Sequence, residues 1–155
     1  FLRKSNEYAI SILYHKCTVF VSFYYIMILL FGILAGLITF AIGGLWYGLI
    51  FRDAWIEASG IDMAKVEADR QAGKNGQKEM MISLAIEVVT AVVAIFCIKT
   101  LDVSPLHAAV GMGVTAVLAS LKNYVFEQRP IKLILINESY KLVCYLVEGI
   151  IALIA

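Results

Sequence analysis

Charge is scarce in this sequence. Lysine, arginine, aspartate and glutamate make up only 16% of its 155 residues, and the net charge is +1. No basic arm or stripe is present, which argues against nucleic acid or another polyanion as a partner. Histidine and cysteine are scarcer still. The two histidines, His15 and His107, cannot form a metal cluster by themselves. The three cysteines, Cys17, Cys97 and Cys144, stand apart with no CxxC spacing and read as small apolar packing residues rather than redox or metal groups. Catalytic signatures are missing as well: there is no HExxH and no GxSxG. The stretch AGKNGQK lacks the first glycine and the final Ser/Thr of a phosphate-binding loop. Residues 111–116, GMGVTA, match the letters GxGxxA, but no strand precedes them and they lie inside an apolar run, so they read as a packing motif. Glu–Lys–His sets can do acid/base work, yet nothing here names a nucleophile or a substrate. These absences point away from an enzyme and require no cofactor.

Apolar residues are what the chain has in abundance. They make up 61% of it, against about 45–50% in a soluble domain, and its mean hydropathy is +0.85. The charged residues cluster between long apolar runs, as in an integral membrane domain embedded in a lipid bilayer. The fold class expected is all-α, an integral membrane four-helix bundle. Its spans are placed at about residues 28–50, 79–98, 104–124 and 131–153, with one long polar connection over 51–78. Residues 27–155 form the membrane domain. Residues 1–26 are rich in Tyr, Phe and Ile and, joined to span 1, make an apolar run too long for one span. Met27 is read as the start, with 1–26 as translated upstream sequence; the alternative is an N-terminal extension continuous with span 1. No small-residue cleavage site marks 1–26 as a signal peptide.

Within span 1, Gly32, Gly36, Thr39 and Gly43 share one face at helical spacing and suit close helix packing. Trp46 and Tyr47 read as markers of the membrane–water interface. In the connection, Ser59-Gly60 is a turn, and Asp62 can cap a short helix that Gly73 ends. Pro105 starts span 3, as a first-turn proline can. Lysine and arginine counts set the orientation. The 51–78 and 125–132 connections carry Arg52, Lys65, Arg70, Lys74, Lys78, Arg129 and Lys132, whereas the other side carries Lys99, plus Arg3, Lys4 and Lys16 if the first 26 residues belong. The long connections are therefore placed in the cytoplasm and the C-terminus outside, in a multi-pass protein of the plasma or inner membrane.

The fourth span is the anomaly. Residues 123–148 carry Glu127, Arg129, Lys132, Asn137, Glu138, Lys141 and Glu148. A charge at a membrane centre costs about 2.5–3.5 kcal/mol on insertion scales and usually faces protein or water. Helical rise puts Glu87 and Lys141 at similar depths, which predicts a Glu87–Lys141 pair with Asn137 and Thr90 nearby. His107 and Glu148 form a second expected pair, and Lys122, Glu127 and Arg129 a third cluster at the cytoplasmic end. Two readings stand side by side. The charges fix helix register, as polar groups in membranes often do, or they line a site for a proton, ion or solute.

Gly43-Gly44-Leu45-Trp46-Tyr47, then Phe51 and Ala54-Trp55, resembles the GxLWY…F…AW signature of a family of small four-span membrane proteins catalogued only as a domain of unknown function. Asn123, Tyr124, Phe126, Glu127, Arg129, Pro130, Lys132, Leu133, Ile136, Asn137 and Tyr140 match its NYxFExRPxKLxxINxxY run. The resemblance covers about residues 27–155 and implies a four-helix membrane domain of bacteria and some fungi, with no established activity. Lys141 departs from the family, which often has His or a small residue there, and Glu87 and Glu148 fall outside its pattern.

The leading expectation is a transport or permeation component whose polar midplane site is built from Glu87, Lys141 and Asn137, with His107 and Glu148 nearer the outer mouth. The alternative is a structural or accessory membrane protein whose 51–78 connection binds a partner protein. Four short helices enclose little polar space, so a homo-oligomer is expected in either case.

Overall fold

The computed structural model describes residues 2–74 and 76–155, with side chains from Thr18 onward. The expectations for residues 1–26 fall mostly outside the described side chains, as do His15 and Cys17. Helix α1 (Leu2–Leu45) runs directly into a π-helical turn (Trp46–Ile50). Two short helices come next, α2 (Arg52–Ser59) and α3 (Met63–Gln71), and then three long ones: α4 (Gln77–Thr100), α5 (Pro105–Phe126) and α6 (Ile131–Ala152). No strand occurs among the described residues.

Local chemistry explains the breaks. Gly60 takes the left-handed conformation, φ +69°, that ends α2. The Asp62 carboxylate accepts from the amides of Ala64 (2.9 Å) and Lys65 (3.3 Å), capping α3. Pro105 opens α5 and Pro130 immediately precedes α6, positions where a missing amide hydrogen costs nothing.

Among the described residues, three stretches are long and apolar enough to cross a membrane: Thr18–Ile50, Gln77–Thr100 and Pro105–Phe126. Helix α6 matches α5 in length, at 22 residues, but Lys132, Glu138, Lys141 and Glu148 make it far more polar. It is also the helix that touches the most others, packing on α5 and reaching α1, α2 and α4. The chain is arranged inside out relative to a water-soluble protein. Leu29, Leu30, Ile33 and Leu34 of α1 and Ile86, Val89 and Val93 of α4 are exposed, while Thr39, Glu138 and Glu148 are buried. Apolar outer faces are stable against lipid and costly against water.

Close packing of α1 on α4 rests on two glycines. A Cβ at Gly32 would lie 2.6 Å from the Val92 Cα, and one at Gly36 would lie 2.5 Å from the Val88 Cα. Both obstacles are backbone atoms, so a side chain there must push the helices apart. Around this contact Ile28, Ala35, Ala91, Ile95 and Ile151 form one core, with Phe31 and Val147 packed on it. A second core joins Ile98, Ala108, Ala109 and Ala152. There α5 and α6 are equally close, since a Cβ at Gly149 would lie 2.6 Å from the Ala109 Cβ. Gly113, from the GxGxxA letters, packs near Tyr145 and Leu142, whereas Gly111 faces open space.

An alanine in a helix interior normally outperforms glycine by about 1 kcal/mol. Gly44, with nothing near its missing Cβ, should follow that rule. Gly36→Ala should reverse it and destabilise by about 1–3 kcal/mol through overpacking. Thermal unfolding of both variants in detergent checks this; equal stabilities would mean that α1 and α4 do not need their close contact.

Candidate functional site

One face of α6 carries the polar residues. Asn137, Glu138, Lys141, Cys144, Tyr145 and Glu148 recur every three to four residues along it. Facing them are Glu87 and Thr90 of α4 and Ala116, Ala119, Ser120 and Tyr124 of α5. Between these helices lies an open cavity of about 690 Å³. Tyr47 and Trp55 close one end of its lining. From Asn137 to Glu148 it follows α6 for about 16 Å at the helical rise per residue, roughly half of a bilayer's hydrocarbon thickness.

Lys141 does not pair with Glu87. Its ammonium donates to both carboxylate oxygens of Glu138, at 3.0 and 2.8 Å, and to the Ser120 hydroxyl on α5. The expected long-range pair gives way to a partner one turn back on the same helix, where i and i+3 side chains are neighbours. The Glu138 side chain is only 8% exposed, so this is a largely buried ion pair. Such a pair tolerates loss of both members far better than loss of one.

Glu87 has other partners. Its Oε1 accepts from the Tyr140 hydroxyl at 3.0 Å and lies 3.5 Å from the Cys144 thiol. The Tyr140 hydroxyl is also 3.0 Å from the Thr39 carbonyl oxygen. It has one proton and two acceptors, so it serves one of them at a time. Gly43 makes room for it: a Cβ there would lie 2.7 Å from the Tyr140 hydroxyl oxygen. Tyr47, Trp55, Glu87 and Tyr140 also line a second cavity of about 520 Å³, beside Phe40, Gly43 and Ser83. These four side chains stand between the two spaces.

Trp46 and Tyr47 are not simple interface markers. The π-helical turn swings Trp46 towards α6, where its indole donates to the Ile136 carbonyl oxygen at 3.0 Å. Tyr47 sits against Trp55 and Tyr140, with ring centroids 5.4 and 5.2 Å apart. Asn137 donates to the Tyr124 hydroxyl at 3.2 Å rather than to Glu87. At the same end Lys132 meets Glu57 of α2 at 2.5 Å; its hydrogen bond and charge hold the Glu57 carboxyl below the usual range. Arg129 pairs with Glu127 at 2.8 Å, while Lys122 joins no ion pair among the described residues.

Glu148 differs from all of these. It is 3% exposed, and its Oε2 has no hydrogen-bond partner among the described residues. It does not pair with His107, which is exposed and lines a separate cavity with Gly111, Thr115 and Tyr145. The cause is rotational. Ala108 and Ala109 turn inward at the close contact with α6, and His107 lies about 200° around α5 from Ala109 at 100° per residue. Sequence reasoning gives no site role to Glu138, Ser120 or Tyr145. The Glu138–Lys141 spacing is the available signal for the first; nothing in the sequence marks the other two.

The chain matches, over residues 30–153, a family described as protein of unknown function (DUF1761). It belongs to that family. No curated protein and no solved structure matches it.

Two charge substitutions should move stability in opposite directions. Lys141→Met strands the buried Glu138 and should cost about 3–5 kcal/mol, most of it recovered in Glu138→Gln/Lys141→Met. Glu148→Met removes an unpartnered buried carboxylate and should stabilise by about 1–3 kcal/mol. Unfolding in detergent measures both; a destabilised Glu148→Met would reveal a partner essential to the fold.

Proposed function

We propose that this protein is a small membrane transport or permeation component, and that the cavity between α4, α5 and α6 is its solute site. In this reading α6 is a fourth span, sheltered by the three apolar ones, and the whole is a four-helix membrane bundle. The observation that carries it is the length of the polar space. A lining that runs from Tyr124, Trp55 and Tyr47 to Glu148, and meets a second cavity across Tyr140 and Glu87, suits passage better than packing. The protein performs no catalysis of its own. The α2–α3 connection, with Arg52, Lys65 and Arg70, faces the cytoplasm of a plasma or inner membrane, and copies of the chain associate to cover the outer openings.

A second reading draws on one specific feature. Lys141 is satisfied by Glu138 and by Ser120 on the neighbouring helix, which is what interhelical glue in an accessory protein would look like.

Reconstitution separates the two. Proteoliposomes should pass small cations at least tenfold faster than protein-free vesicles, as measured by osmotic recovery in stopped flow. Ala119→Trp, which fills the cavity from α5, should abolish the difference without loss of fold. Recovery no faster than in empty vesicles would remove the transport reading and leave the accessory one.

A further inference from the structure

The cavity's chemistry names a class of ligand. Three carboxylates, Glu87, Glu138 and Glu148, line it with a single cation, Lys141. Lys141 is already engaged by Glu138 and Ser120. The carboxyl groups left without a cationic partner among the described residues are Glu87 and Glu148. Glu87 receives hydrogen bonds from neutral donors only, Tyr140 and Cys144. Glu148 is buried and keeps Oε2 without any donor. An anion would meet repulsion here, whereas a cation that donates hydrogen bonds would meet an unused acceptor.

Size and lining narrow the choice further. A volume of about 690 Å³ falls within the range of small-molecule sites and far exceeds what a bare metal ion fills. Among the described residues no group of three His, Cys, Asp or Glu side chains is placed to hold a metal ion. The walls are aromatic, with Tyr47, Trp55, Tyr124, Tyr140 and Tyr145 all contributing. Aromatic faces attract alkylammonium groups through the ring quadrupole and cover their carbon substituents.

We propose that this cavity binds an organic ammonium ion, with its charged nitrogen near Glu148 and Glu87 and its carbon portion against the tyrosine and tryptophan walls. This deepens the transport reading by assigning its substrate class, and it rests on that reading only for passage, not for binding. The same ammonium chemistry occurs in free amines and in the headgroups of membrane lipids, so the test includes both.

Methylammonium and phenethylammonium are titrated into the detergent-purified full chain, with sodium and benzoate as charge and size controls. Binding is read by calorimetry and by thermal shift. The ammonium ions should bind and stabilise, and the controls should not. Glu148→Gln should weaken binding at least tenfold, and Tyr145→Leu should weaken it less. Ala119→Trp gives an independent check if Glu148→Gln fails to fold. Native mass spectrometry of the same preparation distinguishes the sources: a retained phosphatidylethanolamine that phenethylammonium displaces assigns the site to a headgroup, and an empty site that takes the free amine assigns it to a soluble solute. Equal binding of benzoate or sodium, unchanged affinity in Glu148→Gln, or no ammonium binding at all overturns the proposal. Cation flux without ammonium binding would remove the ligand class and keep the passage; ammonium binding without flux would do the reverse.

Discussion

Helix α6 carries Lys132, Glu138, Lys141 and Glu148 among apolar neighbours, and much of the structure is shaped by finding the first three of them a partner. Lys132, at the helix start, reaches Glu57 on α2. Glu138 and Lys141 satisfy one another and recruit Ser120. The apolar helices make these contacts possible by packing closely enough to shelter α6. Where Gly36 abuts Val88 and Gly149 abuts Ala109, a single Cβ would separate the layers.

The junction at Tyr140 ties the two halves of the chain together. Gly43, Trp46 and Tyr47 come from the end of the first long helix and Tyr140 from the last one. Yet Gly43 leaves space for the Tyr140 hydroxyl, Trp46 bonds the Ile136 carbonyl, and Tyr47 packs edge-on against Tyr140. The two segments that carry the family resemblance therefore form one three-dimensional constellation. The π-helical turn makes it possible: it inserts a wider turn just where the aromatic side chains must rotate towards α6. The Tyr140 hydroxyl, within reach of both the Thr39 carbonyl and Glu87, links α6 to α1 and α4 at this junction.

Much of this arrangement is legible in the residues. Hydropathy locates the long helices, and proline, glycine and Asp62 mark their breaks, because those signals are local and each acts within a turn of its own position. The shared face of Gly32, Gly36, Thr39 and Gly43 is readable for the same reason. The pairings are not. Depth along a helix fixes one coordinate of a side chain, but which way it points depends on how the helices are rotated against each other. Glu87 and Lys141 line one cavity, yet Lys141 finds Glu138 first and Glu87 faces Tyr140. His107 is near Glu148 in depth and turned away from it in azimuth. The π-helical turn has no local signature either; it coincides with the tertiary contact between Trp46 and α6.

Glu148 stands outside every structural account of the polar residues. Glue between helices requires a partner, and its Oε2 has none. A capping or interfacial role requires exposure, and it is 3% exposed. Folding alone would be served better by an apolar side chain at that position, since an uncompensated carboxylate in low dielectric opposes the packed state. A buried carboxyl group with an unused acceptor, set in a cavity large enough to admit a small molecule, is the pattern expected when part of a protein's interior is shaped for something the chain itself does not supply. The more conspicuous Glu138–Lys141 pair is complete without a ligand; Glu148 is the residue that calls for one.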